Sequence, residues 1–289
     1  MARGMVSRLH PRGTDRDMAA TRDQISTDIT AGVVYQTFGA VPTSARSLAE
    51  ELMASLSEVA PRTVISAKVK VKHDESRPPD QPCLAEATLN MQGATVRAQA
   101  AAASASDALR VIGDKLERRL ARLAERRRRA RQRPPSSTSG APRSSELDSG
   151  RPTFRHRPAD ERAVVRRKTY PPTDRTSIGE AMFDLDMMDF RFYVFTDRAD
   201  DKTSIVYETG DIGLAIRKVD GSRPHDGTAR ADIEVSETPA PVISLTEAVS
   251  YLNKSEKAFI FFCDTDRDHP SVLYRRYDGH YGLVVPSAA

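Results

Sequence analysis

Three blocks in the C-terminal half of this chain recur at one fixed offset, and nothing else in the sequence constrains the fold as strongly. Ser177-Ile178-Gly179-Glu180-Ala181 aligns with Ser244-Leu245-Thr246-Glu247-Ala248. Phe192-Tyr193-Val194-Phe195-Thr196-Asp197 aligns with Phe259-Ile260-Phe261-Phe262-Cys263-Asp264, and Ser204-Ile205-Val206-Tyr207 with Ser271-Val272-Leu273-Tyr274. The offset is 67 residues in all three. A fourth match, Ile212-Gly213-Leu214 against Tyr281-Gly282-Leu283, follows after a two-residue slip. Chance supplies one such block; three in register point to a duplication. Each copy, about 176–219 and 243–286, reads as one helix followed by three strands. A unit of ~45 residues buries too little apolar surface to stand alone comfortably. The copies are therefore expected to pack on each other as a pseudo-dimer, with Phe192, Val194, Tyr207, Phe259, Phe261, Tyr274 and Tyr281 between them.

The rest of the chain divides around this duplication. From Arg133 to Pro158 it reads RPPSSTSGAPRSSELDSGRPTFRHRP, which offers almost nothing to bury and is expected to be a disordered linker over 133–159. Residues 1–27 lack periodicity and are expected to form a mobile arm. That leaves two domains, 28–132 and 160–289. In the first, Asp28–Tyr35 is expected as a strand. A helix opening at Pro42-Thr43 should place Leu48, Leu52, Leu56 and Val59 on one face and stop at Pro61. Val64–His73 alternates, with Ile65, Ala67, Val69 and Val71 on one side and Ser66, Lys68, Lys70 and Lys72 on the other. Period two with one apolar face predicts a strand covered on one side only. Two more strands, Cys83–Met91 and Ala94–Ala100, turn at Gln92-Gly93. A long helix from about Ser106 then turns Leu109, Ile112, Leu116, Leu120 and Leu123 inward. The expected class is α+β: a β-α-β-β-β-α domain with two helices on one face of a four-stranded sheet, then the duplicated α+β domain.

Charge is divided unevenly between these halves. Residues 1–159 carry 27 Lys/Arg against 17 Asp/Glu, whereas residues 160–289 carry 17 against 23. Eleven Lys/Arg lie between Arg110 and Arg133. Lys115, Arg118, Arg119 and Arg122 are expected along the helix face away from the leucines, and Arg126, Arg127, Arg128 and Arg129 follow. Four consecutive arginines repel one another unless a polyanion neutralises them, and guanidinium groups bind phosphate bidentately. Lys68, Lys70 and Lys72 form a second basic row on the open side of the sheet, with Arg97 and Gln99 expected to point the same way. No aromatics are interleaved there to stack bases, so the pattern favours grip on folded RNA by backbone and shape.

Other chemistries find little support. The six histidines are scattered without metal-ligand spacing, and there is no Gly-rich phosphate loop or nucleophile elbow. Asp264, Asp266 and Asp268 imitate the start of a calcium loop, but His269 stands where Gly is needed and Arg275 where Glu is needed. A turn between strands is the expected reading. Cys83 and Cys263 show no paired spacing and are expected to be reduced thiols. No apolar run approaches a membrane span. The expectation is a protein with no catalytic residues, no metal, no cofactor, no small-molecule substrate and no membrane.

The order β-α-β-β-β-α resembles the ribosome hibernation-promoting factors, also called ribosome-associated inhibitors or sigma-54 modulation proteins. The stretch GATVRAQAAAASASDALRVIGDKLERRL from Gly93 is similar to the end of that family's first domain. RRKTYPPTDRTSIGEAMFDLDMMDFRFYVFTD and LYRRYDGHYGLVVP are similar to the C-terminal domain of its long forms. The duplicated layout resembles dormancy- or hypoxia-associated actinobacterial members. This resemblance implies a cytoplasmic protein whose first domain sits in the decoding region of the 30S subunit, over the tRNA and mRNA path. Lys68, Lys70, Lys72, Arg97, Lys115, Arg118, Arg119 and Arg122 would then contact 16S rRNA, and the C-terminal domain, being acidic, could reach a ribosomal protein or fold against the basic first domain. Long forms usually carry one C-terminal unit that pairs between molecules and joins two ribosomes into a 100S particle. Two linked copies should pair internally, because the linkage raises their effective concentration, and so leave a single inactive 70S ribosome. The alternatives are a 100S pairing factor, a DNA-binding transcriptional regulator using the arginine-rich helix, and an interaction or sensor module in the duplicated half.

Overall fold

The computed structural model describes residues 26–30, 33–132, 150–209, 213–224 and 233–287. The expected N-terminal arm up to residue 25, and residues 133–149 of the expected linker, lie outside the described residues.

The N-terminal unit is one sheet with two helices on one face. Its elements are β1 (Ser26–Thr30), β2 (Val33–Phe38), α1 (Thr43–Val59), β3 (Val64–His73), β4 (Cys83–Met91), β5 (Ala94–Ala102) and α2 (Ala105–Gln132). The strands lie in the order β1-β2-β3-β4-β5. Helix α1 carries the crossover between the parallel strands β2 and β3, and the other neighbours are antiparallel. The four expected strands are β2 to β5. The stretch expected as a single first strand is divided between β1 and β2, which adds a fifth strand at the edge.

Two elements, β3 and α1, depart from the expected patterning. Ile65 is 68% exposed, because the β3–β4 register shifts between Val64 and Ser66 and this bulge turns it off the core face. On α1 the buried residues are Ala45, Ala49, Met53 and Leu56, while Leu48 and Leu52 are partly covered and Val59 is 59% exposed. Small alanines against the sheet let the helix approach closely, so the buried stripe is rotated from the leucine stripe. Gly113 on α2 allows an equally close approach: a Cβ there would lie 2.7 Å from Leu52 Cδ1. Leu109, Ile112, Leu116, Leu120 and Leu123 of α2 are buried as their spacing requires.

The C-terminal unit contains two sheets. The first copy contributes β6 (Val164–Tyr170), β7 (Arg175–Thr176), α3 (Ile178–Met187), β8 (Phe192–Asp197), β9 (Thr203–Thr209) and β10 (Gly213–Lys218). The second contributes β11 (Ile233–Ser236), β12 (Val242–Ile243), α4 (Leu245–Lys254), β13 (Phe259–Asp264), β14 (His269–Arg275) and β15 (Tyr281–Pro286). Both helices begin with the same capping box, Ser177 with Glu180 and Ser244 with Glu247. The register carries the 67-residue offset through the third strand without a slip: Tyr207 faces Ala215 as Tyr274 faces Gly282, and Val206 faces Ile216 as Leu273 faces Leu283. The expected two-residue slip is thereby corrected. Leu214, not Ile212, is the counterpart of Tyr281.

Each copy is also preceded by a strand the sequence reading missed. Strand β6 precedes the first copy as β11 precedes the second, yet each leaves its own copy. The sheet orders are β11-β10-β9-β8-β7 and β12-β13-β14-β15-β6. The leading strand of each copy thus completes the sheet of the other, in parallel with β10 or β15.

Period-two alternation gives each sheet a helix on one face and the partner sheet on the other. Ile178, Met182, Leu185, Phe195, Val206, Leu214 and Ile216 form the core under α3. Leu252, Ile260, Phe262, Leu273, Tyr281 and Leu283 form the core under α4. Between the sheets lie Val194, Ile205, Phe261 and Val272, with Phe192, Tyr207 and Phe259 packed against them. The aromatic contacts obey the pseudo-twofold: Phe192 meets Tyr274, and Phe259 meets Tyr207, each at 5.5 Å between ring centroids. The axial pair Phe192–Phe259 is 5.0 Å apart. Tyr281 is the exception among the seven residues expected in this layer. It faces α4 instead, where its hydroxyl donates to Asn253 Oδ1 at 2.8 Å.

Candidate nucleic-acid interface

The basic residues of the N-terminal unit separate into an open set and a covered set. Lys68 is exposed on β3, and Lys70 and Lys72 beside it are half-buried. Lys72 pairs with Asp74 at 3.2 Å. On α2, Arg118, Arg127, Arg128 and Arg129 are exposed. Arg128 and Arg129 share Glu125 at 2.9 and 2.7 Å, and Arg127 donates to the Pro61 carbonyl. Such exposed pairs are worth little and exchange readily for another anion.

The covered set is Lys115, Arg119 and Arg97, with Gln99. The expectation that Lys115 and Arg119 lie along an open helix face is corrected: each is only 2% exposed. The segment that follows α3 covers them. Asp189, left-handed at φ 52° and fully buried, is the centre of the contact. Its carboxylate accepts from Arg119 Nη2 at 2.6 Å, from Arg151 Nη2 at 3.1 Å and from the Gln99 backbone N–H at 2.8 Å. Lys115 Nζ lies 4.0 Å away and donates to the Gln99 carbonyl at 3.0 Å. Arg119 Nε donates to the Asp186 carbonyl at 2.6 Å, and Arg122 Nη1 lies 3.4 Å from the Asp186 carboxylate. Arg97 Nη1 reaches the Met188 carbonyl at 3.3 Å while its guanidinium lies 5.7 Å from the Phe190 ring. Arg126 stacks over Phe183 at 4.0 Å.

Burial and charge pull against each other in this cluster. Burial would raise the Asp189 carboxyl, but Arg119, Arg151 and Lys115 hold it below its usual range. Burial lowers Lys115 to about 8, against the attraction of Asp189. Glu208 is raised to about 7, chiefly by burial, although Arg151 grips it with two hydrogen bonds of 2.6 and 2.7 Å.

Part of the expected linker belongs to this contact. Residues 150–158 are packed between the units, which corrects the expectation of disorder up to residue 159. Arg151 is buried, Phe154 stacks on Tyr277 at 5.6 Å, and the Ala101 N–H donates to the Gly150 carbonyl at 2.8 Å. Arg77, from the β3–β4 loop, donates to the carbonyls of Thr153 and Tyr277 at 2.7 and 3.1 Å. The sequence reading singled out none of Arg77, Arg151, Asp186, Asp189, Glu208 or Tyr277. The acidic excess of the second half was the signal available for the three carboxylates.

Comparison with known proteins assigns both units. Residues 39–128 match the family described as sigma 54 modulation protein / S30EA ribosomal protein. Residues 159–215 and 233–283 match its C-terminal part, described as sigma 54 modulation/S30EA ribosomal protein C terminus. The chain belongs to this sigma-54 modulation / S30EA family. Proteins named dormancy associated translation inhibitor, from two strains of Mycobacterium tuberculosis, are each 27% identical over 249 residues, covering 83% of this chain and 84% of theirs. A solved structure, the N-terminal domain of Thermus thermophilus Protein Y, is 21% identical, covers 29% of this chain and 88% of its own, and superposes with a TM-score of 0.25.

Within this S30EA-family chain, the basic row on β3 and nearly all of the cationic helix fall inside the N-terminal match. The two stretches of the C-terminal match coincide with the two structural copies. Among the described residues, no group of three or more His, Cys, Asp or Glu is arranged to hold a metal ion, and no helix is long and apolar enough to cross a membrane. Asp264, Asp266 and Asp268 lie at the β13–β14 hairpin, where Asp264 Oδ1 accepts the Asp266 N–H at 3.1 Å.

Proposed function

We propose that this chain binds the ribosome in the cytoplasm and holds it inactive, by occupancy and without catalysing a reaction. The observation that carries this reading is the family match over residues 39–128, which contain the lysine row of β3 and the arginines of α2. The relatives named dormancy associated translation inhibitor, aligned over most of both chains, support the same direction. In this reading Lys68, Lys70, Lys72, Arg118, Arg122 and Arg126–Arg129 meet 16S rRNA phosphates near the decoding region, where the domain excludes mRNA and tRNA. Arg97, Lys115 and Arg119 join them once their internal contacts are released. The C-terminal copies occupy each other's pairing faces, through the strand exchange and the layer around Phe192 and Phe259, which favours one 70S ribosome per chain over a 100S pair.

Phosphate contacts make such binding steeply salt-dependent. Co-sedimentation with purified ribosomes should be strong at low salt and fall by orders of magnitude by ~0.3–0.5 M salt. Binding indifferent to salt contradicts the electrostatic account. Binding to duplex DNA in preference to ribosomes favours the transcriptional-regulator alternative.

A further inference from the structure

Four of the cations assigned above to rRNA are already engaged inside the chain, and what engages them is built of carboxylate and carbonyl oxygen atoms. The Asp189 carboxylate, the Asp186 carboxylate and carbonyl, and the Met188 carbonyl together receive Arg119, Arg122, Lys115 and Arg97. A row of phosphate oxygens would satisfy the same donors. We propose that residues 186–190 of the first copy occupy the nucleic-acid surface of the N-terminal unit in place of RNA. The free chain is then closed, and closure and RNA binding exclude each other. This rests on reading the N-terminal face as an RNA-binding surface.

Three further observations support an exchangeable latch. First, the burial of acids at these positions belongs to one copy only. At the equivalent positions the second copy carries Asn253, which accepts the Tyr281 hydroxyl within its own unit, and Glu256, which is exposed. The repeat therefore folds without them. Second, the contact caps the open edge of the sheet. Strand β5 is an edge strand, and its Gln99 and Ala101 amides are held by Asp189 and the Gly150 carbonyl. Third, the centre of the contact, around Asp189, is polar and costly to dehydrate. Arg119 Nη1 is buried with no hydrogen-bond partner among the described residues. A buried ion cluster is specific in geometry but gains little net free energy over its hydrated parts. A polyanion with more charge can displace it.

The test is the full chain with Asp186→Asn and Asp189→Asn together. Asparagine tolerates the left-handed backbone of residue 189. A control, Glu256→Gln with Asp266→Asn, makes the same charge change at exposed sites of the second copy. Amide hydrogen exchange at Gln99 and Ala101 reports opening, and affinity for a double-stranded RNA of mixed sequence reports the uncovered surface. The double variant should exchange these amides at least ~10-fold faster and bind RNA at least ~10-fold tighter, since apparent affinity scales with the open fraction. The control should change neither by that factor. In the unmodified chain, saturating RNA should speed exchange at the same two amides. The proposal is overturned if exchange rises without tighter RNA binding, if the variant leaves exchange unchanged, or if RNA leaves the two amides protected in the unmodified chain. Tighter RNA binding by a variant that still ignores 70S ribosomes would keep the latch and reject the ribosome reading.

Discussion

In the first copy of the duplicated unit, α3 is buried on two sides. Ile178, Met182 and Leu185 face its own sheet, Met187 and Phe183 reach the core of the N-terminal unit, and Asp186 and Asp189 meet the cations of α2. In the second copy, α4 buries only Ala248 and Leu252, and its outer face shows Tyr251 and Lys254 to solvent. The two helices share a length, a capping box and a place in their sheets, so the difference lies in a handful of side chains on the outer face. One copy keeps a solvated helix, while the other has become an internal contact surface for the rest of the chain.

The largest test of the shared part is the layer between the sheets. Phe261→Ala should cost ~3–5 kcal/mol of unfolding free energy, as for other large-to-small changes at buried aromatics. Val194→Ala, at the pseudo-equivalent position, should cost about half as much, because fewer methylenes leave the core. The chain has no Trp, so urea unfolding followed by far-UV circular dichroism is the suitable measurement. If neither change moves the transition of the C-terminal unit, the two sheets do not stabilise each other.

A smaller effect separates the copies by pH. Glu208 neighbours the docked cluster, facing Arg151, Arg191 and Asp189, and its carboxyl is raised, first by burial, from an ordinary 4.5 to about 7. A carboxyl raised in the closed form holds its proton more tightly there than in the open form. Its contribution to closure is therefore full below about pH 4.5 and is lost as pH rises through 7. Asp189, held low by its cations, adds the opposite trend only in the acid range near and below its ordinary 3.8. Lys115, lowered to about 8, begins to favour closure only above that pH. Between pH 5 and 7 the open fraction, read by exchange at Gln99, should rise by up to ~10-fold per unit. Glu208→Gln should flatten the profile. A profile unaltered by that substitution excludes Glu208 as its source.

The smallest effect is one the copies should share. Ser177→Ala and Ser244→Ala each remove a capping oxygen that accepts the N3 amide at 3.3 Å. Each should cost ~1 kcal/mol, and the two costs should agree within a few tenths. A large inequality would mean that docking of α3 against the N-terminal unit compensates for its lost cap.

The parts legible in the sequence were those governed by local pattern. The alternation of β3, the leucine spacing of α2 and the repeated blocks each express a period that one stretch of chain must satisfy by itself. The strand exchange was not legible in the same way. Val164–Tyr170 and Ile233–Ser236 share almost no residues, and β6 is mostly exposed, so neither an apolar period nor a block marks it. The bulge at Ile65 breaks an alternation that the letters alone continue. The opposite charges of the two halves allowed an internal contact, but the side chains that make it were hidden most thoroughly. Asp186 and Asp189 stand in a short acidic run, and Arg151 stands in a segment whose Pro, Ser and Arg content reads as linker. Their pairing is a tertiary fact set by the left-handed turn at Asp189, and no local period records it. The concentration of basic residues was recognisable, but not its division into an open part and a covered part.

The central claim is that pairing inside one chain replaces pairing between chains. A sucrose-gradient profile of 70S ribosomes mixed with the purified protein tests it most directly, with the protein located in each fraction by immunoblot. Internal pairing predicts comigration with a 70S peak that grows at the expense of free subunits, without a 100S peak. A dominant 100S peak carrying the protein would contradict it, showing that the two copies still reach across to those of another molecule.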